Sequence, residues 1–387
     1  MERTDLQRTD LQRTGVEQHP VIVIGAGSAG LGCAAELRRR GVPAIVLDSA
    51  DTIGASWRDR YDRLRLNSPR GLSTLPGAPY PAGTPVFPSR DEVVGYLRRY
   101  AAARELDVRL GVRVHRLDRS GAGWTVRTSA GDLAAAQVVV AGGYQREPYR
   151  PAWGPFAGTL LHAADYRCAE PFRGQDVLVV GPGSSGFEIA HDLAEGGAGR
   201  VRLAVRTPPN ILLRSAAGAR IAVLLSRLPP AGPDALMRFV RRRTIGDLSG
   251  FGLPIPAEGV FSRLKTAHVT PAIVDPAVIE AVRAGRIEIV AAVRSVQDAQ
   301  VRLVDGTALT PDAVIAATGY RTGLEPLAGH LGVLDQHGVP AALQGEAQPG
   351  LRFIGYTPVV GVLGHGGRAA RRAARRIARA VPSDHQV

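Results

Sequence analysis

One pattern limits what this chain can fold into more than any other. Glycines spaced Gly-x-Gly-x-x-Gly stand between an apolar β-branched run and a helix, and the arrangement occurs twice. In the first copy, Val21–Ile24 reads as a buried parallel strand. Gly25-Ala-Gly27-Ser28-Ala-Gly30 follows, then a helix through Arg40 that Gly41 ends. Ala44–Leu47 is the next strand, and Asp48 closes it. Gly25 permits a tight turn, Gly27 lets the backbone approach a pyrophosphate, and Gly30 lets the helix pack on the strand. The helix N-terminus, with Ser28 in its first turn, then faces the phosphates. Asp48, about 20 residues on, is placed to accept both hydroxyls of an adenosine ribose.

The second copy differs at the end of its second strand. Asp176–Val180 is the first strand, Gly181-Pro-Gly183-Ser184-Ser185-Gly186 is the loop, and a helix runs from Ser185 to about Glu195. The paired strand Val201–Val205 ends in Arg206-Thr207 rather than in an acid. An acid there would repel a 2′-phosphate, whereas arginine grips one with a planar fork. The first loop therefore suits the ribose diol of FAD, and the second suits NADPH over NADH. Arg214 is a second candidate for the phosphate and reads equally well as a solvated arginine.

The elements between the loops set the domain order. Arg90–Arg104 predicts an amphipathic helix, and Arg113–Leu117, Gly123–Thr128 and Asp132–Ala136 predict a small antiparallel meander. Val138–Ala141 and Asp312–Ala316 read as further buried strands, ending in Gly142-Gly143-Tyr144 and Ala317-Thr318-Gly319-Tyr320. Arg352–Gly355 is a last strand before a helix starting near Gly366. The expected fold is α/β, with two Rossmann-like dinucleotide-binding domains, the NADPH domain inserted into the FAD domain. The FAD domain takes residues 18–164 and 309–387, the NADPH domain 165–308, and residues 1–17 are expected to be a disordered polar tail built on a repeated Arg-Thr-Asp-Leu-Gln.

Composition excludes several classes. The chain of 387 residues is 45% hydrophobic, enough for about two domains. No apolar run approaches the roughly 18 residues of a membrane span, so no transmembrane anchor is expected. No secretory signal is read either, which makes the cytoplasm the expected location. Cys33 and Cys168 are the only cysteines and lie far apart, which argues against a disulfide framework, a zinc site or a redox dithiol. No metal site is expected. The net charge of +13 rests on scattered arginines, with Lys265 the only lysine, and no nucleic-acid module accompanies it. In the final helix Arg368, Arg371, Arg372, Arg375, Arg376 and Arg379 fall on one face, and Ala370, Ala373, Ala374 and Ile377 on the other. That spacing reads as a solvated face on a docked helix. The glycines at its start, Gly364-His-Gly366-Gly367, would bring backbone N–H groups toward a flavin ring.

Between the loops stands Phe156-x-Gly158-x-x-x-His162-x-x-x-Tyr166. It resembles the fingerprint of the flavin-containing monooxygenases, and the chain from about Val21 to Ile377 is most similar to the plant YUCCA type, the indole-3-pyruvate monooxygenases. Gly54-Ala-Ser56-Trp57 resembles the family's segment beside the flavin, and Tyr61-Asp-Arg63-Leu64-Arg-Leu66 the YUCCA stretch after it. Leu75–Pro81 looks like the family's proline-rich loop, Arg206-Thr207 its phosphate clamp, and Ala317-Thr318-Gly319 its interdomain motif. Two departures stand out. Ala141-Gly142-Gly143 lacks a threonine hydroxyl, and Tyr166 stands where dedicated Baeyer–Villiger enzymes usually carry tryptophan.

The resemblance implies an NADPH- and dioxygen-dependent monooxygenase acting through a 4a-hydroperoxyflavin on a small organic substrate. Baeyer–Villiger-type or decarboxylating oxygenation of a ketone or 2-oxo acid, and a non-oxygenating flavin reductase, remain alternatives. It implies Asn67 and Trp57 beside the reactive flavin edge, although Asn67 before Ser68-Pro69 also reads as a turn residue. Ser56, Thr318, Gly319 and Gly366 join the cofactor contacts. Substrate walls are expected in Ser215–Phe251, where the likeness is loose, and a homodimer is the family expectation.

Overall fold

The structure is a computed structural model that describes residues 16–266, 269–343, 345–357 and 362–381. The polar tail expected over 1–17 lies outside the described residues up to residue 15. Glu17 is already part of β1 (Glu17–Ile24), which starts before its apolar run. The extension follows from pairing: Glu17, Gln18 and His19 align with Leu133, Ala134 and Ala135 of the neighbouring strand. Arg109 holds the Glu17 carboxylate with two bonds of 2.6 and 2.7 Å.

The first sheet runs in the order β3-β2-β1-β6-β5-β4. Its strands are β2 (Ala44–Leu47), β3 (Asp107–Arg109), β4 (Val114–Ser120), β5 (Gly123–Thr128) and β6 (Gly131–Val140). β3, β2, β1 and β6 are parallel, while β6, β5 and β4 form the antiparallel meander. Two strands expected separately, over 132–136 and 138–141, are one continuous β6. The polar Gln137 does not break it, because Arg352 donates to the Gln137 side-chain oxygen. Against this sheet pack α1 (Ser28–Arg38) and α2 (Arg90–Ala102). α2 starts where a capping box fixes it: Ser89 Oγ accepts from the Glu92 N–H, and the Ser89 N–H donates to the Glu92 carboxylate at 2.7 Å.

The second sheet is wholly parallel. It comprises β7 (Thr159–His162), β8 (Asp176–Val180), β9 (Arg200–Val205), β10 (Glu288–Ala291) and β11 (Ala313–Ala316), in the order β10-β9-β8-β11-β7. This corrects the expected boundaries of 165–308. β7 and β11 both belong to the inserted sheet, not to the flanking unit. A four-residue apolar run shows that a strand is buried but not which sheet buries it. The register Ala313↔Val177 and Ala313↔Thr159 decides it here. On one face lies α3 (Ser184–Glu195), burying Phe187, Ile189, Ala190 and Leu193. On the other, a meander from Val293 to Leu309 covers Leu178, Ala204 and Val314. The insert also carries α4 (Ala216–Leu225), α5 (Ala231–Thr244), α6 (Val260–Thr266) and α7 (Pro276–Arg283).

The chain then returns to the first sheet. β12 (Leu351–Phe353) pairs in parallel with the second half of β6, whose first half serves β5. The last helix, α8 (Val362–Ala380), lies on α1. Its Ala370, Ala373, Ala374 and Ile377 are buried and its six arginines are exposed, as their spacing predicts. α8 begins at Val362 rather than near Gly366, so Gly366 sits in its second turn and the surroundings of its side fall outside the described residues. Among the described residues, no helix is long and apolar enough to cross a membrane.

Candidate active site

Both glycine loops open onto one cleft of about 810 Å³ between the two sheets. Its walls include Gly25–Ala29, Asp48, Ser56, Trp57 and Asn67 from the first unit, and Gly183–Ser185 from the second. The two loops are built alike. A methyl group on Gly25 would stand 2.7 Å from the Ala141 oxygen, and one on Gly181 2.4 Å from the Ala317 oxygen. A methyl on Gly30 or Gly186 would strike the carbonyl of Gly25 or Gly181 at 1.9 or 1.8 Å. These four glycines are required by the protein's own packing. The middle ones are not: a methyl on Gly27 or Gly183 would meet no protein atom within 4 Å. Nothing in the fold asks for glycine there, so the open approach suits a ligand's phosphates against bare backbone. Ser28 and Ser184 are the first residues of α1 and α3, which aims each helix N-terminus at its loop.

The two acceptor positions differ as their sequence implies. Asp48 receives the Ala26 N–H on one carboxylate oxygen at 2.6 Å and the Ala50 N–H on the other at 2.9 Å. Each oxygen keeps a lone pair for a diol. Arg206 and Thr207 are exposed at the end of β9, and Arg206 makes no ion pair or hydrogen bond among the described residues. It is free to grip an added phosphate. Arg214 is not: it is nine-tenths buried and paired with Glu188 of α3. The alternative reading of Arg214 as a phosphate contact is therefore corrected.

That pair is the part of the site the sequence did not disclose. Glu188 accepts hydrogen bonds from Arg214 and from the Tyr61 hydroxyl. Arg214 Nε reaches Asn67 Oδ1 at 3.3 Å, which leaves the Asn67 amide NH₂ for the cleft. Burial raises the Glu188 carboxyl above its ordinary value, against the opposing pull of Arg214 and Tyr61. Tyr61 comes from the first unit yet is buried in the core of the second. One helical turn beyond Glu188, Asp192 accepts from Arg63 at 3.1 Å and from the Tyr166 hydroxyl at 2.7 Å. α3 thus binds Tyr61 and Arg63 through two acids spaced i, i+4. That spacing was visible in the sequence, but it reads equally well as a solvated face.

The fingerprint residues hold this junction. A methyl on Gly158 would stand 2.4 Å from the Asp312 oxygen, so the chain can cross there only as glycine. His162 Nδ1 accepts from the Ala164 N–H at 3.0 Å, and Nε2 therefore donates to the Gly319 carbonyl at 3.1 Å. Burial lowers its pKa and keeps it neutral. Thr318 turns its hydroxyl to the Tyr149 carbonyl at 2.5 Å and does not line the cleft, while Gly319 does. Ser56 and half-buried Trp57 line the cleft from a short turn that Gly54 starts with a φ of 78°. No residue of 215–251 lines it among the described residues, so the substrate walls expected there are not found. Both cysteines are free, and burial pushes the Cys33 thiol up to about 12.

Comparison with known proteins adds an independent line. The family described as "Pyridine nucleotide-disulphide oxidoreductase" matches residues 22–217. Indole-3-pyruvate monooxygenase YUCCA1 of Oryza sativa subsp. japonica is 36% identical over 314 residues, covering 78% of this chain and 77% of that protein. Indole-3-pyruvate monooxygenase YUCCA8 of Oryza sativa subsp. indica is 34% identical over 379 residues, covering 91% and 89%. Among solved structures, the flavin-containing monooxygenase from Stenotrophomonas maltophilia is 25% identical with a TM-score of 0.72, covering 95% of this chain and 100% of that one.

Proposed function

The chain belongs to the flavin-containing monooxygenase family, and from that premise we propose that it inserts one atom of dioxygen into a small organic substrate at the expense of NADPH. It is a flavin-dependent oxidoreductase that uses FAD and NADPH. The observation that carries the finer reading is the shared cleft. Two loops with open middle glycines face it, one followed by Asp48 and the other by Arg206. In this reading the two units are Rossmann-like dinucleotide-binding domains. The first takes FAD, and the second, inserted between β6 and β12, takes NADPH.

When bound, FAD supplies the redox chemistry: it accepts hydride from NADPH and activates dioxygen. The protein's share is binding, orientation and protection. The backbone at Gly27 and the α1 N-terminus hold one pyrophosphate, and Asp48 accepts the ribose hydroxyls. Gly183, Ser184 and Ser185 hold the other, with Arg206 and Thr207 on the 2′-phosphate. Asn67 presents its amide NH₂ to the cleft, fixed from behind by Arg214, and donates to an oxygen in the reaction zone. Trp57 closes the wall beside it and excludes water. Neutral His162 holds Gly319 at the junction without exchanging protons with substrate.

The relatives are named for indole-3-pyruvate, so an aromatic 2-oxo acid heads the substrate panel, followed by amines, sulfides and ketones. NADPH oxidation is measured across the panel under isotopically labelled dioxygen. Labelled product supports the proposal; stoichiometric peroxide with no labelled product refutes it in favour of a flavin reductase. Arg206→Ala separately tests the cofactor assignment. Loss of a charge-assisted contact of about 1.5–3 kcal/mol should raise the KM for NADPH roughly ten- to hundredfold and leave that for NADH unchanged.

A further inference from the structure

Away from the cleft, one region of the surface is apolar and uncovered. Of the thirteen large hydrophobic residues exposed among the described residues, seven fall between Ile221 and Phe251. They belong to α4, α5 and the turns beside them. The inward sides of both helices are settled: Ala222 and Leu225 of α4 and Met237 of α5 pack with Val260 and Phe261 of α6. At about 100° per residue, Leu224 lies opposite Ala222 with Ile221 on its flank. On α5, Leu236, Phe239, Val240 and Arg243 lie opposite the buried Asp234, Arg241 and Ile245. Both helices are therefore apolar on two sides, and the outer sides face solvent. Leu224 is 63% exposed and Phe239 56%.

The exposed charge on this hairpin has one sign. Residues 215–251 contain six arginines and two acids, Asp234 and, beyond α5, Asp247, which bonds to Ser249. Asp234 is buried, taking the backbone N–H of Phe261 at 2.7 Å and the Ser262 hydroxyl at 2.6 Å. Arg220, Arg227, Arg238, Arg242 and Arg243 remain exposed, and Arg243 stacks over the Phe239 ring. An outward apolar ridge rimmed by arginines matches the interface of an anionic bilayer, where apolar side chains enter the headgroup layer and cations meet lipid phosphates. A second copy fits less well, because a two-fold contact through this face would set arginines against arginines. α8 is also rich in arginine, but its apolar stripe is buried against α1, so it offers charge with nothing to insert.

We propose that the α4–α5 hairpin is a peripheral docking surface for anionic lipid membranes, with Leu224 and Phe239 as the inserting residues and the exposed arginines as the headgroup contacts. The test is flotation of the FAD-loaded full chain with phosphatidylcholine vesicles, with and without about one-third phosphatidylglycerol. The chain should float with the anionic vesicles, and salt should weaken the association. The L224E/F239E variant should lose about tenfold or more of that partition while keeping bound FAD and the parent's NADPH oxidation rate. Arg238→Glu with Arg243→Glu should weaken it in the same way, which keeps the test valid if the first variant misfolds. Arg372→Glu with Arg375→Glu on α8 should leave it intact. The proposal is overturned if the parent does not float, or if hairpin variants float as well as the parent. It is also overturned if only the α8 variant loses binding, or if L224E/F239E instead dissociates a dimer seen by light scattering.

Discussion

Replacing Arg214 by methionine tests the reading of the junction most directly. The Arg214 and Glu188 side chains are 10% and 12% exposed. Removing the arginine leaves a desolvated carboxylate with only the Tyr61 hydroxyl for support. The carboxyl then takes up a proton rather than stay charged. Relative to an unfolded chain in which it titrates at 4.5, holding it protonated at pH 7 costs about 3.4 kcal/mol, at 1.36 kcal/mol per pH unit. The parent already carries part of that cost, because burial raises Glu188 there too, and the lost bond to Asn67 adds about 1 kcal/mol; the expected destabilisation is therefore about 3 kcal/mol, the low end of the range for broken buried pairs. The sign fixes the pH dependence. A carboxyl whose folded pKa is raised carries no penalty below its unfolded value, and the penalty grows as pH rises above it. The gap between parent and variant should therefore be wider at pH 7 than at pH 5.5, shrinking by at most about 2 kcal/mol, because below the parent's own raised value both chains hold the carboxyl protonated. Urea unfolding followed by circular dichroism at the two pH values measures it. Glu188→Gln combined with Arg214→Met should recover most of the loss, since no buried charge remains. A gap that does not change with pH, or a double variant no better than the single, refutes the reasoning.

Three further outcomes rest on the same geometry. Gly27→Ala and Gly183→Ala meet no protein atom, so both should fold; the first should purify without FAD, and the second should keep FAD yet lose its reduction by NADPH, as bound-flavin absorbance will show. Asn67→Ala should leave NADPH oxidation running but divert most of it to peroxide, measured as product formed per NADPH consumed. Arg241 is buried with no hydrogen-bond partner for its guanidinium among the described residues, and burial holds its pKa below the ordinary value. Arg241→Met should thus raise the unfolding free energy by about 1–3 kcal/mol at pH 7, measured by urea unfolding; a fall would refute the reading.

How much of the fold and site is legible in the sequence depends on how local each signal is. Gly25, Gly27 and Gly30 are close in sequence, and so are Gly181, Gly183 and Gly186. A strand before and a helix after each set fix what they do, and Asp48 and Arg206 sit at the end of the next strand. Those elements lie where their patterns put them within a residue or two, except that β1 starts four residues before its apolar run. The strand 313–316 is legible as a strand, but its sheet depends on a pairing with Val177 across the insert, for which no local pattern exists. The start of α8 is misplaced when its glycines are taken as the boundary, because the helix runs through them from Val362. Arg214 misleads for a related reason. An arginine soon after β9 suits an anion, and only the packing of Tyr61 into the second core shows that its anion is Glu188.

α3 explains why the missed residues belong together. Its first residues, Ser184 and Ser185, line the cleft; one turn on, Glu188 binds Tyr61 and Arg214; one turn further, Asp192 binds Arg63 and Tyr166. Tyr61 and Arg63 belong to the segment that also carries Trp57 and Asn67 in the cleft wall. The helix that begins at one glycine loop is thus tied, at two successive turns, to the chain that walls the cleft beside the other. Ion pairs as buried as Glu188–Arg214 add little net stability, because desolvation offsets most of their attraction. They fail badly when one partner is lost or displaced. A rotation of the second unit against the first would separate Tyr61 from Glu188 and Arg214 from Asn67 together, losing two buried hydrogen bonds at once while Glu188 keeps Arg214 within its own unit. The latch is therefore better suited to holding a single relative orientation of the two loops than to stabilising the fold.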